Sequence, residues 1–217
     1  MAEEQRLYAQ GSFFAPLHIV ILAHPDPQSF NAAVARTYVE TITAAGHRAV
    51  RRDLYRLGFD PILKNHERPD HRGFEVSADV RAEYEAIDGA EVYTLIYPLW
   101  FGLPPAMLVG YINRIFGAGV TLAEVQGRAA KGVLSGKRLM SIISSGARDI
   151  WLDEQGQIEG LRSVLGRYLE HAFQMRGAEH LQLGHIVEDM SQRLIDERLL
   201  QVKECAQRLC SAIDAGA

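Results

Sequence analysis

The sequence has few cysteines and no excess of positive charge, and both shortages exclude classes of function. Only Cys205 and Cys210 are cysteines among 217 residues. Their five-residue spacing fits neither a Cys-x-x-Cys redox pair nor a zinc pair, and we expect reduced thiols in a cytoplasmic protein. Lys and Arg number 23 against 27 Asp and Glu, a net charge of −4. That balance disfavours nucleic acid and anionic membrane surfaces as partners.

The chain also lacks a segment suited to crossing a membrane. The 21 residues 92–112 carry no charge, and that length is enough to span a bilayer. Because Pro98, Pro104 and Pro105 interrupt this segment and proline breaks a helix, we predict no membrane insertion there. Residues 1–16 start acidic and lack the apolar core of a signal peptide. We assign residues 1–16 to an N-terminal extension and residues 17–217 to a single domain.

Hydrophobic patterning predicts strands that alternate with helices. The composition, 47% hydrophobic and 23% charged, is that of a chain with a folded core. The predicted strands are 17–23, 47–54, 91–97, 137–144 and 179–186, and the predicted helices are about 32–45, 78–87, 104–116, 158–176 and 191–213. We predict irregular connections at 55–76, 117–136 and 145–157. This alternation predicts an α/β fold with a doubly wound parallel sheet and helices on both faces.

Three loops that follow predicted strands carry unusual residues. Ligands of open parallel sheets bind beyond the carboxyl ends of the strands, and the strand order 2-1-3-4-5 would make these loops neighbours. In the first loop, Ser29, Phe30 and Asn31 stand at a helix N-terminus, where free N–H groups attract an anion. The alternative is that Ser29 or Asn31 only caps the helix. The loop contains neither a G-x-G-x-x-G motif nor a P-loop lysine.

The second and third loops differ in character from the first. Trp100 and Phe101 are adjacent aromatic residues between prolines, and a flat aromatic ligand would cover them. A core or dimer-interface cluster is the alternative for this pair. The third loop, residues 144–147, consists of small residues that let a backbone approach a ligand closely, although a simple turn explains it equally well.

Other kinds of site find little support in the sequence. It contains no G-x-S-x-G nucleophile elbow and no H-E-x-x-H metal motif. Two histidine pairs are spaced five apart, His66 with His71 and His180 with His185, and we predict metal binding at neither. We therefore assign no metal ligand and no catalytic side chain.

With these three loops, the chain resembles the flavin-dependent NAD(P)H:quinone oxidoreductase family, the DT-diaphorase-like branch of the flavodoxin-like fold. The resemblance is most specific in AHPDPQSFNAAV at 23–34, YPLWFGLPPAMLVGYINRIF at 97–116 and SIISSGA at 141–147. It implies a flavodoxin-like sheet of five parallel strands in the order 2-1-3-4-5. The resemblance also implies flavin-binding residues in each loop: His24, Ser29, Phe30 and Asn31 at the pyrophosphate side, Pro98, Leu99, Trp100 and Phe101 around the isoalloxazine ring, and Ser144, Ser145, Gly146 and Ala147 at its other edge.

The same resemblance implies a reaction and an assembly. The cofactor would be FAD, with FMN as the alternative. NADH or NADPH would transfer a hydride to flavin N5, and a quinone or similar flat acceptor would then take the electrons in a ping-pong cycle. Trp100, Phe101 and Trp151 would line the acceptor pocket of a homodimer. Family members often carry an extra residue between the positions of Leu99 and Trp100, and some place a Tyr and a His where residues 148–158 have neither.

Three other functions are considered beside quinone reduction. Relatives of this family serve as ancillary regulatory subunits of potassium-efflux transporters, and binding to such a transporter would distinguish that role. A flavodoxin-type electron carrier is usually shorter and more acidic than this chain. An azo- or nitroreductase would use the same chemistry on a different acceptor.

Overall fold

The computed structural model describes residues 15–216, and its centre is one parallel sheet. The strand order is β2-β1-β3-β4-β5, which confirms the predicted order 2-1-3-4-5. The strands are β1 (Leu17–Leu22), β2 (Arg48–Asp53), β3 (Val92–Pro98), β4 (Arg138–Ser144) and β5 (Gly177–Leu183). Every residue of β1 and β3 is buried, whereas the edge strands β2 and β5 are partly exposed. The predicted extension 1–16 lies almost entirely outside the described residues.

Helices cover both faces of the sheet. They are α1 (Phe30–Ala44), α2 (Ala78–Ile87), α3 (Ala106–Tyr111), α4 (Leu122–Gln126), α5 (Asp149–Glu154), α6 (Gln157–Arg162), α7 (Leu169–Ala172) and α8 (Gln192–Asp214). The π-helical segment Ile112–Phe116 prolongs α3, and the π-helical segment Ser163–Tyr168 joins α6 to α7. Helices α1 and α8 bury one core, while α2, α3, α6 and α7 bury the other. Within residues 15–216, no helix is both long and apolar enough to cross a bilayer.

Some predicted element boundaries were wrong. The segments 117–136 and 145–157, expected to be irregular, contain α4 and α5, which are five and six residues long. The helix predicted to reach residue 176 ends at Ala172, because Gln174 has a left-handed φ of 53° that a helix does not tolerate. Strand β5 consequently begins at Gly177, two residues before its predicted start.

A buried arginine fixes the long connection 55–76 to the domain. Arg114 lies in the π-helical segment after α3 and is 1% exposed. Its guanidinium donates to both oxygens of Glu67, at 2.9 and 2.6 Å, and to both oxygens of Asp79, at 2.7 and 3.0 Å. It also donates to the carbonyl oxygen of Asp60 at 2.6 Å. These bidentate contacts hold the connection, which includes a 3₁₀ turn at Asn65–Glu67, against α2 and α3.

Candidate functional site

The three loops singled out in the sequence meet at the carboxyl edge of the sheet. They follow β1, β3 and β4, which are neighbours in the sheet. The backbone N–H of Leu99 donates to the carbonyl oxygen of Ser144 at 2.7 Å and ties the second loop to the third. The rings of His24 and Trp100 lie 5.8 Å apart, centre to centre, and bring the first loop against the second. The fold thus collects residues from three parts of the chain into one surface.

At the start of α1, helix capping and free amides coexist. The Ser29 hydroxyl accepts a hydrogen bond from the Ala32 N–H at 3.2 Å, so Ser29 is the N-cap of a 15-residue helix. The N–H groups of Phe30 and Asn31 have no acceptor within residues 15–216. They are first-turn donors at the positive end of the helix dipole, where an anion is stabilised. His24 is oriented by its Nδ1, which accepts from the Asp26 N–H at 3.1 Å.

Two of the residues predicted to bind the ligand are hydrogen-bonded to each other. Asn31 and Ser144 are 4% and 2% exposed. The Asn31 amide nitrogen donates to the Ser144 hydroxyl at 2.9 Å. This hydrogen bond connects the first and third loops. The Asn31 side chain therefore positions the two loops relative to each other.

The second loop is a tight turn that displays its aromatic rings. The N–H of Trp100 donates to the carbonyl oxygen of Leu103, and the reverse bond is also made, both at 3.0 Å. The central residues Phe101 and Gly102 have φ values of 52° and 78°, the pattern of a type I′ turn. Trp100 is 41% exposed and Phe101 is fully exposed, while Pro98 and Leu99 are buried. A bulky residue with positive φ stores strain of order 1–3 kcal/mol, a feature that clusters at ligand-binding sites.

The third loop contributes free amides among small side chains. Ser145 is held by two hydrogen bonds. Its N–H donates to the Leu183 carbonyl at 3.0 Å, and its hydroxyl donates to the Ala147 carbonyl at 2.9 Å. The N–H groups of Gly146 and Ala147 have no acceptor in the part of the chain that the structure describes. Together with the amides of α1, they are backbone donors without an acceptor at this edge of the sheet within residues 15–216.

An apolar cleft of about 730 Å³ adjoins the Trp100–Leu103 turn. It lies between α3, α4 and the continuous helical stretch formed by α6, the π-helical segment Ser163–Tyr168 and α7. Several of the large apolar side chains that line it are well exposed, namely Leu103, Val109, Leu122, Val164 and Tyr168. Trp151, predicted to line the acceptor pocket, is 54% exposed on α5. Among the described residues it forms no ring contact with Trp100 or Phe101.

Two residues that hold the loops were missed by the sequence analysis. The side-chain amide of Gln157 donates to the Gly102 carbonyl and braces the aromatic turn. The N–H of His185 donates to the Ala147 carbonyl at 2.9 Å, and His185 has a left-handed φ of 63°. His185 follows β5 and therefore lies at the carboxyl edge of the sheet, where ligands of parallel sheets bind. That position could have indicated its part in the site. Gln157 gave no such signal, because its contact depends on where α5 ends.

Comparisons with known proteins agree with this architecture. A family described as having the flavodoxin-like fold matches residues 18–210. A Haemophilus influenzae protein named "Uncharacterized NAD(P)H oxidoreductase" is 28% identical over 190 residues, which cover 85% of this chain and 92% of that protein. Rat "NAD(P)H dehydrogenase [quinone] 1" is 28% identical over 64% of this chain, but the match spans only 56% of the rat protein.

Solved structures extend the comparison to three dimensions. An NAD(P)H:quinone oxidoreductase from Methanothermobacter marburgensis superposes with a TM-score of 0.74 at 25% identity, over 90% of this chain and 97% of that one. An FMN-dependent NADH-azoreductase from Bacillus anthracis, solved in complex with FMN, gives a TM-score of 0.63 at 17% identity, over 90% and 99%. At 17% identity the second likeness concerns the fold alone.

Proposed function

The chain belongs to the family with the flavodoxin-like fold, and from that premise we propose that it is a flavin-dependent NAD(P)H dehydrogenase that reduces quinones. Relatives named NAD(P)H oxidoreductase and NAD(P)H:quinone oxidoreductase support an oxidoreductase. The observation that carries the proposal is the exposed, strained turn of Trp100 and Phe101 beside free amides from two other loops. A flat ligand with hydrogen-bond acceptors on its edge and an anionic tail fits this arrangement.

The residues present fit a flavin. The amides of Phe30 and Asn31 would hold the pyrophosphate at the start of α1. Trp100 and Phe101 would frame the ring system, and the amides of Gly146 and Ala147 would meet its far edge. When bound, the flavin would supply the redox chemistry, accepting a hydride from NAD(P)H and passing two electrons to an acceptor.

The part played by the chain itself is positioning and electrostatic stabilisation. Fixed N–H donors that surround a ligand stabilise negative charge on it without reorganising, and they do so best where water is excluded. The aromatic turn supplies a flat surface on which a nicotinamide or a quinone can lie in a defined orientation. Because residues 148–158 contain neither Tyr nor His, we assign no proton-carrying side chain, and water would supply the proton that a reduced quinone takes up.

We take FAD to be the cofactor because segment 24–31 resembles the FAD-binding members of the family. The FMN bound to the Bacillus azoreductase makes FMN the alternative. Heat-releasing the cofactor from purified protein and measuring its mass decides between them: FAD supports the assignment and FMN overturns it.

A homodimer belongs to the same proposal. The exposed apolar side chains around the cleft, such as Leu122 and Val164, are costly to leave in water and would be covered by a second copy of the chain. That copy would also close the open side of the site next to the Trp100–Leu103 turn. A cytoplasmic location is likewise proposed, consistent with two free cysteines in the described chain.

Steady-state kinetics test the proposed reaction. Initial rates measured with NADH or NADPH against a series of soluble quinones should give parallel double-reciprocal lines, because both substrates would use the same place in turn. Intersecting lines would contradict the shared pocket. An azo dye or nitroarene turned over faster than every quinone would reassign the acceptor, and binding to a potassium-efflux transporter without NAD(P)H oxidation would support the regulatory role instead.

A further inference from the structure

A second cluster of chemically active side chains lies at the opposite edge of the sheet. His18 belongs to β1, His47 immediately precedes β2, and Cys210 lies in the last two turns of α8. The three are 0%, 2% and 2% exposed. One potential ligand atom from each lies within 4.8 Å of the other two. His18 and His47 face each other directly, with Nε2 of His18 2.9 Å from Nδ1 of His47.

The outer nitrogen of each ring is held by its own partner. Nδ1 of His18 lies 2.9 Å from the hydroxyl of the buried Tyr38. Nε2 of His47 donates to a carboxylate oxygen of Asp214 at 3.1 Å. A ring that offers one nitrogen to a shared centre and hydrogen-bonds through the other to a carboxylate or hydroxyl is the usual arrangement of metal-ligating histidine. The two facing nitrogens and the Cys210 thiol thus form a compact set of three potential ligands.

A metal ion between the two rings requires a rearrangement of hydrogens that the cluster can accommodate. Without a metal, a single hydrogen occupies the bond between the two histidines. A metal would replace it, and the proton of His18 would move to Nδ1, facing the Tyr38 oxygen. Tyr38 could then turn its hydrogen toward Thr94, whose buried hydroxyl has no hydrogen-bond partner within residues 15–216.

We propose that His18, His47 and Cys210 form a binding site for one divalent transition-metal ion of the zinc type. A thiolate and two imidazoles match the ligand preference of zinc. One thiolate and the Asp214 carboxylate together balance the two positive charges. Tetrahedral Zn–N bonds separate two nitrogens by about 3.4 Å, so the rings need to move apart by about half an ångström. Water would complete the tetrahedron.

Such a site would have a structural role distinct from the flavin chemistry. It would join β1, the start of β2 and the end of α8, thereby fixing the last helix to the sheet. The sequence predicted no metal, because residues 18, 47 and 210 are far apart in the chain and form no spacing motif. Only the parallel sheet and the return of α8 bring them together.

Cobalt substitution tests the site on the purified flavoprotein. The protein is treated with a chelator, dialysed, and titrated with Co²⁺, and its spectrum is recorded as a difference against a Zn²⁺-treated sample so that flavin absorption cancels. We expect one equivalent of Co²⁺, tetrahedral ligand-field bands and a thiolate-to-cobalt charge-transfer band. Zn²⁺ should displace the cobalt. A wild-type protein without the thiolate band would overturn the proposal, whatever the variants do.

Matched variants separate this site from stray binding. Cys210→Ser and His47→Gln should remove the charge-transfer band. Cys205→Ser should keep it, since the thiol of Cys205, in the same helix, contacts the Met140 sulfur at 3.8 Å. Asp214→Asn should weaken Co²⁺ binding about tenfold, as losses of outer partners do. Equal binding by wild type and Cys210→Ser would mean an adventitious ion only. Flavin content and circular dichroism of each variant report folding independently of metal.

Discussion

At the scale of the residue, the most informative position is Phe101. Phe101 has a left-handed backbone conformation, which is strained for a residue with a side chain, and its apolar ring is exposed to water. Both features lower the stability of the fold. Stability alone does not favour such a residue at the centre of a type I′ turn, where Asn and Gly are preferred. Its presence beside Trp100 is best explained by contact with a ligand.

Replacing Phe101 with Gly separates stability from function. Glycine adopts positive φ without strain, so Phe101→Gly should keep or slightly raise the melting temperature while lowering kcat/KM for the quinone about tenfold. The neighbouring Gly102→Ala is the matched control. Gly102 has a φ of 78°, which an L side chain adopts only with strain, so this variant should lose stability. A Phe101→Gly protein that is clearly less stable than wild type would show that the ring supports the fold.

Truncating Trp100 should affect turnover more than folding. Trp100→Ala removes a half-exposed ring that contacts His24, and we expect kcat/KM to fall at least tenfold, about 1.4 kcal/mol of transition-state stabilisation. Thermal unfolding and quinone kinetics are measured side by side. Leu200→Ala, at an exposed position of α8, serves as the control and should change neither. Full activity in Trp100→Ala would remove this residue from the site.

At the scale of the element, the long connection 55–76 depends on one buried cation. Arg114 donates to Glu67 and Asp79, and its guanidinium also lies over the Phe59 ring at 5.5 Å. Arg114→Met would leave Glu67 buried without its partner, a change that typically costs about 3 kcal/mol or more. Arg68→Met, which removes an exposed pair with Asp70, should cost less than about 1 kcal/mol. Denaturant unfolding at neutral pH measures both.

The ion pair between Arg114 and Glu67 should make the free energy of unfolding depend on pH in the acidic range. The hydrogen bonds from Arg114 lower the pKa of Glu67 from 4.5 to about 2. In the unfolded chain Glu67 takes up a proton below pH 4.5, whereas in the folded chain it does so only near pH 2. The contribution of Glu67 to the free energy of unfolding is therefore lost as the pH falls from 4.5 to about 2. Comparing unfolding midpoints at neutral and acidic pH, we expect a weaker dependence in Arg114→Met. An unchanged dependence would mean that other carboxylates dominate.

The sequence predicted the elements that have a long buried stripe and missed the short ones. All five strands, the helices α1, α2, α3 and α8, and the helical stretch from α6 to α7 were located, because continuous apolar runs and amphipathic periods mark them. Helices α4 and α5 are too short to show a period. A signal for α4 was nevertheless present: Thr121 and Glu124 form a capping box, with the Thr121 N–H donating to the Glu124 carboxylate at 2.8 Å.

The candidate site was predictable as a set of loops but not as a set of contacts. Strand order alone places 24–31, 98–103 and 144–147 together. The pairing of Asn31 with Ser144 depends on side-chain orientation, and the support that Gln157 gives to Gly102 depends on the unpredicted α5. Whether each predicted residue binds the flavin remains a prediction.

At the scale of the whole molecule, the exposed apolar rim of the cleft predicts self-association. Val164→Glu places a charge on that rim, where Val164 is 60% exposed, and a buried unpaired charge costs several kcal/mol. Light scattering on a sizing column should show a dimer for wild type and a monomer for Val164→Glu. Leu200→Glu, on α8, should remain dimeric. A monomeric wild type, or a dimeric Val164→Glu, would contradict the proposed interface.

The most direct test of the central claim is anaerobic reduction of the purified protein. Wild-type protein supplied with FAD, and in parallel with FMN, is freed of unbound flavin and mixed first with NADH or NADPH and then with a quinone. We predict one flavin per chain, loss of the oxidised flavin absorption on adding the nucleotide, and its full return on adding the quinone. A protein that retains neither flavin, or whose bound flavin no nicotinamide nucleotide bleaches, would contradict the account.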